Sequence, residues 1–401
     1  MLAQAVSAEP IPRVVRVSSQ AMSVSTTSAW CYAKTPEAVK PKAGDIYELQ
    51  QQEVPALKEG MILVRLSAIA VAPMARAFLE LPGNDTGAED LGLQRLKLGG
   101  TAVGESVATV VETMSKKFVV GDRIWLPFNK LAEHQVFCDD GSDHPMKLAP
   151  VKLPAFVNTE TFLSTMTPSA GVTAYVGANH TVCGSVEDSG LACLSFLRKA
   201  TPKTVLVTSA AGAVGVVACQ LYKHKGCKVI GVTSTREKAD KLLAYGCDAA
   251  IAYKTEDLDA RLSELAPEKL DVVVDNVGST QLDAATKHMK IGGKILSIGT
   301  ISELDNYATG NIQGWKNYHW GVSRELKFEG LYIGNHQKQF PGAMMSLGML
   351  VFRGKIKPAH TIIEGGFEEW AAHVDKLFGS ETFGRMILVN SKNTAGRAIG
   401  T

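Results

Sequence analysis

The sequence predicts an α/β protein in which a doubly wound parallel sheet is set between two β-rich stretches. Three observations carry that reading. Between about Ser169 and residue 353, short apolar strands alternate with stretches of helical period, as in a parallel sheet with crossover helices. Upstream, from Ile46 to Leu126, strands follow one another with little helix between them. Beyond Lys355-Ile-Lys-Pro358 the strand pattern returns.

The first 28 residues differ from the rest: they hold small residues, Ser and Thr, Arg13 and Arg16, and a single acid, Glu9. Two readings stand, an organelle transit peptide or a disordered cytosolic extension, so the expected compartment is the cytoplasm, or the mitochondrion or another organelle. No apolar core of the secretory kind is present. Strands follow at Ile46 to Leu49 and Met61 to Ala70, joined by the turn Lys58-Glu59-Gly60, then at Val107 to Val111 and Arg123 to Leu126.

The parallel strands are expected at Val205 to Thr208, Val229 to Thr233, Ala249 to Tyr253, Val272 to Asp275 and Ile295 to Ile298. Thr361 to Glu364 and Met386 to Val389 flank an amphipathic helix, Phe367 to Phe378, and residues 392–401 form a loose tail. The expected division is therefore an extension (1–28), a β-rich domain (29–168 plus 354–391) and a parallel-sheet domain (169–353).

The chemistry is concentrated after the first parallel strand. Thr204-Val-Leu-Val-Thr-Ser-Ala-Ala-Gly-Ala-Val-Gly215 is a strand running into a glycine turn and a helix that ends near Lys225. The next strand, Lys228 to Ser234, completes one βαβ unit. Ala211, Gly212, Ala213, Val214 and Gly215 thus stand where a dinucleotide pyrophosphate meets a helix N-terminus in a Rossmann unit. The turn has two of the three usual glycines, with Ser209 in the first place. Small residues there also serve simply to pack a helix close to a sheet.

At the end of the second strand, where an acid selects NAD, the chain reads Thr233-Ser-Thr-Arg-Glu-Lys238. Arg236 and Lys238 suit a 2′-phosphate, Arg by a bidentate fork and Lys as a point charge, so NADPH is preferred. Glu237 fits the plainer reading, a solvated first helical turn. Residues near Asn276 and Gly299, at the carboxyl ends of later strands, are expected to face the cofactor.

Among 401 residues, 42 Lys and Arg nearly balance 40 Asp and Glu, so net charge builds no field for nucleic acid or an anionic membrane. No apolar run reaches the roughly 18 residues of a membrane span. Seven cysteines, scattered without a CxxC, argue for free thiols and against a structural zinc site.

Several motifs together resemble the medium-chain dehydrogenase/reductase superfamily, and within it the zinc-free prostaglandin and alkenal reductases and the quinone reductases. They are Gly171-Val-Thr-Ala-Tyr175, Ala210 to Gly215, Gly226-Cys-Lys-Val-Ile-Gly231, Tyr253-Lys-Thr255, Asp275-Asn-Val-Gly278 and Gly354-Lys-Ile356, in the family's order. Ala72-Pro-Met-Ala-Arg76 looks like a diverged active-site loop. The resemblance implies a Rossmann domain inserted in a GroES-like domain, with the site in the cleft between them. It implies NADPH-dependent reduction of an activated carbon–carbon double bond in an enone or enal.

By position it places Ser234, Lys238 and Tyr253 around the adenosine phosphate, Thr173 and Asn276 along the ribose and nicotinamide, and Arg385 near the cofactor. Tyr332 falls at a substrate-site tyrosine and is the expected proton donor; a half-buried aromatic at a strand end is the alternative. Relatives are commonly homodimers through the Rossmann sheet edge. The departures are Thr382, where an Asn is usual, and longer segments at Pro82 to Gln94 and between Tyr175 and Thr204.

Zinc-dependent members carry Cys and Gly-His-Glu ligands where this chain reads Ala102-Val-Gly-Glu-Ser106, so no metal is expected. Quinone reduction is the alternative within enzymes. A non-catalytic NADPH-binding protein is the alternative outside them.

Overall fold

The computed structural model describes residues 24–35, 42–77, 79, 95–182, 203–304, 313–379 and 381–390. The extension up to residue 23, the Pro82 to Gln94 loop, most of the long segment before Thr204, and the tail lie outside the described residues.

Seven strands build the first sheet: β3 (Met61–Val71), β4 (Val103–Thr113), β5 (Arg123–Lys130), β6 (His134–Cys138), β7 (Val151–Lys152), β14 (His360–Gly365) and β15 (Arg385–Asn390). They run in the order β14-β15-β3-β4-β5-β7, with β6 also on β3. Two register shifts against β4 bend β3, whose first half pairs with β6 and whose second half pairs with β15. The segment returning from the far end of the chain is thereby locked into this sheet.

A separate antiparallel pair, β1 (Thr26–Tyr32) and β2 (Tyr47–Glu53), lies beside it. Two expectations are corrected here. Strand β1 begins at Thr26, inside the segment read as extension; within it Trp30 donates its indole N–H to Phe367 O (2.9 Å) and Tyr32 is buried, which fixes the strand. The strand expected from Ile46 begins at Tyr47. Ala43–Ile46 is one helical turn, held by Ala43 N–H donating to Asp375 Oδ1 (2.7 Å) and by the buried Ile46.

The second sheet has six parallel strands: β8 (Thr204–Val207), β9 (Lys228–Thr233), β10 (Ala249–Ala252), β11 (Leu270–Asp275), β12 (Met289–Ser297) and β13 (Lys327–Gly330). Their order is β10-β9-β8-β11-β12-β13, so the chain winds one way from β8 and the other way from β11. This is the doubly wound arrangement, with its reversal between β8 and β11.

Successive side chains of a strand face opposite layers. Val205, Val207, Val272 and Val274 enter one core with Tyr175, Leu221 and Ile387, while Leu206 and Val273 enter another with Leu262 and Leu282. The first core also takes Ala68, Trp125 and Phe162, so it packs the two sheets against each other. Among the described residues no helix is long and apolar enough to cross a membrane. Cys31, Cys138, Cys219, Cys227 and Cys247 are free thiols.

Candidate cofactor and substrate site

The reversal point is built by one buried carboxylate. Asp275, at the end of β11, is fully buried, and its Oδ1 accepts from Thr208 Oγ1 (2.9 Å), Val277 N (3.1 Å) and Gly278 N (3.0 Å). Burial raises its pKa, and these bonds, which favour the charged form, oppose the rise. Asn276 N donates to Thr208 Oγ1 and Asn276 Nδ2 to Thr208 O, both at 2.8 Å. The carboxyl ends of β8 and β11 are thus riveted together, and the turn after β8 leaves from a fixed edge.

That turn begins at Ser209, which holds the left-handed φ of 48° that sequence reasoning assigned to no residue. Gly212 N donates to Ser209 O at 2.9 Å and caps the helix Ala213–His224 without a side-chain cap. A Cβ on Gly215 would overlap Ser209 O and stand 2.8 Å from Ala210 Cα. The glycine is what lets the helix approach this closely. Ala211 is buried, whereas Gly212, Ala213 and Val214 are half-exposed, so the first-turn amides of this helix reach an open face.

At the end of β9, Ser234 is half-buried, and Thr235 caps the helix Arg236–Leu243. The two cations there differ. Arg236 is exposed and forked onto Asp240 Oδ1 (2.9 and 2.7 Å), with Glu256 at 3.7 Å. Lys238 is half-buried, and burial and then the neighbouring Lys254 hold its pKa below the ordinary value. Tyr253, exposed, is set beside them by its backbone N–H to Thr233 O at 3.0 Å. Both were expected at the 2′-phosphate; here the carboxylates of Asp240 and Glu256 engage Arg236, whereas no such pair among the described residues engages Lys238.

Arg385 is likewise engaged by a carboxylate. Its side chain is 3% exposed, with Nη2 donating to Glu105 Oε2 at 3.0 Å and to Ser169 Oγ; Glu105 is 1% exposed. A carboxylate buried in β4 demands a cation, and Arg385 supplies it. The glycine before it, not the guanidinium, touches the turn: Gly384 N donates to Ala211 O at 2.8 Å. Thr173, buried, spends its hydroxyl on Pro168 O at 2.6 Å. Gly299 sits tightly, since a Cβ there would lie 3.2 Å from Asn276 O.

Tyr332 follows β13 on the same carboxyl edge, two strand spacings or about 10 Å along from β11. It is half-buried, and burial pushes its phenol pKa up. Its hydroxyl has no hydrogen-bond partner among the described residues. Gly334 makes room for the ring, because a Cβ there would lie 3.0 Å from Tyr332 Cζ and closer still to Cε1.

A six-stranded doubly wound sheet with a glycine turn at its reversal, joined to a seven-stranded β-rich sheet, defines a class, and the chain belongs to it: the medium-chain dehydrogenase/reductase superfamily. Its family within that class is the one that holds prostaglandin reductase 1. The Oryctolagus cuniculus protein of that name is 31% identical over 342 residues, covering 84% of this chain and 87% of its own. The NADP(+)-dependent 2-alkenal reductase of Nicotiana tabacum is 27% identical over 296 residues, 73% of this chain and 78% of its own.

Residues 28–143 match the family model described as the N-terminal domain of oxidoreductase, and residues 213–348 match the one described as zinc-binding dehydrogenase. In fold, the structure of CurA in complex with NADPH from Vibrio vulnificus superposes with a TM-score of 0.74 at 20% identity, over 90% of this chain and 99% of that one.

One of the two family descriptions names zinc. Among the described residues no three His, Cys, Asp or Glu side chains converge, and the one acid at the corresponding place, Glu105, is held by Arg385 and Ser169.

Proposed function

We propose that the protein reduces the carbon–carbon double bond of α,β-unsaturated ketones or aldehydes with NADPH and without a metal. The observation that carries this is the half-buried Lys238, facing Lys254 at the end of β9, beside an open helix N-terminus at the reversal point. A half-buried cation with a second, exposed cation close by calls for an anion, and a turn made of Ala and Gly leaves backbone donors for another. The residues present fit a phosphorylated dinucleotide.

In this reading Ala211 to Gly215 cradle the pyrophosphate. Ser234, Lys238 and Tyr253 surround the adenosine phosphate. Asn276, Gly299 and Thr173 shape the path toward the cleft, Thr173 through its backbone and methyl group because its hydroxyl is taken. Bound NADPH supplies the hydride for the β-carbon. Tyr332 keeps its proton at neutral pH, since burial raises its pKa, and stands ready to donate it to the α-carbon. Names of the relatives support the substrate class: prostaglandin reductase 1 and 2-alkenal reductase.

We also infer a homodimer through β13. It is one of the two outer strands of the six, and Phe328 (57% exposed), Tyr318 (64%) and Ile291 (75%) lie on or near it. An open strand edge with apolar neighbours is a pairing surface.

The test is NADPH consumption by the purified protein against an alkenal, an enone and a quinone, each repeated with NADH. Turnover of alkenal and enone with NADPH, and little with NADH, is the expected result. Turnover of the quinone alone transfers the assignment to quinone reduction, and binding of NADPH with no turnover makes the protein non-catalytic.

A further inference from the structure

We propose that Glu105, Ser169 and Arg385 form a positioning device that sets the glycine turn against the β-rich sheet; this rests on the NADPH reading above. The three residues come from three places: Glu105 from β4, Arg385 from the first position of β15, and Ser169 from the segment Pro168–Val172 that leads into the helix Thr173–Val182. They close a ring. Arg385 Nη2 donates to Glu105 Oε2 and to Ser169 Oγ, Ser169 Oγ donates to Glu105 Oε2, and Ser169 N reaches Glu105 Oε1 at 3.5 Å.

The ring is connected to the turn by the backbone alone. Arg385 N donates to Ala359 O at 3.0 Å, and the preceding Gly384, at φ 71°, donates to Ala211 O at 2.8 Å. Gly384 and Gly212 also form an isolated bridge. Moving the guanidinium therefore moves Gly384, and moving Gly384 moves the carbonyl of the residue before the pyrophosphate glycine. Ser169, two residues upstream, ties the same ring to Gly171. A Cβ on Gly171 would overlap Thr165 O, so this segment has no slack to absorb a shift.

A buried ion pair is weak evidence of stabilisation, since an apolar pair of like volume often serves as well. Its geometry is another matter: small displacements remote from the chemistry are costly to orientation-dependent steps. Arg385 and Glu105 thus act through the turn, as positioning residues rather than ligands.

The experiment compares the full-length protein with E105L/R385M, which replaces the charges by apolar side chains, and with S169A, which leaves the charges paired. NADPH affinity is read by fluorescence titration, KM for NADPH and for enone by steady-state kinetics, and folding by thermal midpoint. Positioning predicts Kd and KM for NADPH about tenfold higher in both variants, with KM for the enone unchanged. The midpoint of S169A stays near that of the unmodified protein.

NADPH affinity equal to the unmodified protein in a folded double variant overturns the proposal. If the double variant does not fold, unaltered NADPH affinity in S169A does so. Absence of NADPH binding by the unmodified protein refutes the functional reading itself, a result distinct from either.

Discussion

Gly384 donates its backbone N–H to the carbonyl of Ala211 at 2.8 Å, and the two residues adjoin different sheets. Ala211 follows β8 of the parallel sheet, and Gly384 precedes β15 of the β-rich one. This hydrogen bond, with the Gly212–Gly384 bridge beside it, joins the glycine turn to the other half of the molecule.

The first prediction concerns that glycine. Its φ of 71° disfavours any side chain, and a Cβ would overlap Ala359 O. Gly384→Ala is expected to destabilise by about 2 kcal/mol or more and to weaken NADPH binding at the same time. Thermal unfolding and a cofactor titration check both. Loss of stability with unaltered NADPH affinity breaks the link between the two sheets argued here.

Acid is expected to destabilise the fold through neutral histidines. His134, His360 and His373 each have a pKa held below the ordinary 6.5, burial being the largest cause. The unfolded chain takes up protons near pH 6.5, the folded chain only below it. Between those values the unfolded state binds more protons, so stability is present above 6.5 and lost as pH falls below it. Thermal midpoints measured downward from pH 7.5 should decline from about pH 6.5, and less steeply in His373→Phe. A midpoint that rises on acidification through this window contradicts the assignment.

The sheet edge gives a third expectation. Phe328→Asp places a charge on an exposed strand, where it costs the monomer little and a paired interface much. Light scattering should find half the mass of the unmodified protein. Equal masses for the two leave the dimer elsewhere or absent.

What could be read beforehand follows from periodicity. The five parallel strands assigned from the sequence carry apolar runs such as Val272-Val-Val274, and a glycine turn after a strand has one common context. β13, Lys327-Phe-Glu-Gly330, has no such run; pairing with β12 alone makes it a strand. The site residues were harder. Arg385 looked like a cofactor ligand because the resemblance places it, in Phe383-Gly-Arg385, near the cofactor, and nothing local announces that Glu105, 280 positions away, claims it. One clue was present: Glu105 stands inside a strand that is otherwise mostly apolar or small, and a buried carboxylate needs a partner. For Arg236 the competing partner is local, since Asp240 stands one helical turn on and is visible in the sequence.

Tyr332 tests the chemical step. Tyr332→Phe keeps the ring for which Gly334 makes room and removes only the hydroxyl. NADPH affinity and fold should stay as they are, while kcat for enone reduction drops about a hundredfold, the usual scale of a lost general acid. An unchanged kcat passes the donor role to another group and leaves Tyr332 as packing.

Lys238 and Arg236 separate recognition of the phosphate from surface charge. Lys238 is half-buried with its pKa lowered by burial and by Lys254, so a bound phosphate relieves it; Arg236 is exposed and already forked onto Asp240. Lys238→Met is expected to raise the Kd for NADPH tenfold or more and leave NADH nearly unaffected, as the loss of a charge-assisted bond would. Arg236→Met should change either value by less than about threefold. The pH dependence follows from the direction of the shift. Free Lys238 loses its proton below the ordinary lysine value of 10.5, so preference for NADPH over NADH should decline as pH rises toward that value, and the decline should vanish in Lys238→Met. Equal preference in both variants, or a preference abolished by the Arg236 change alone, returns the phosphate site to the helix surface and removes the main support for NADPH over NADH.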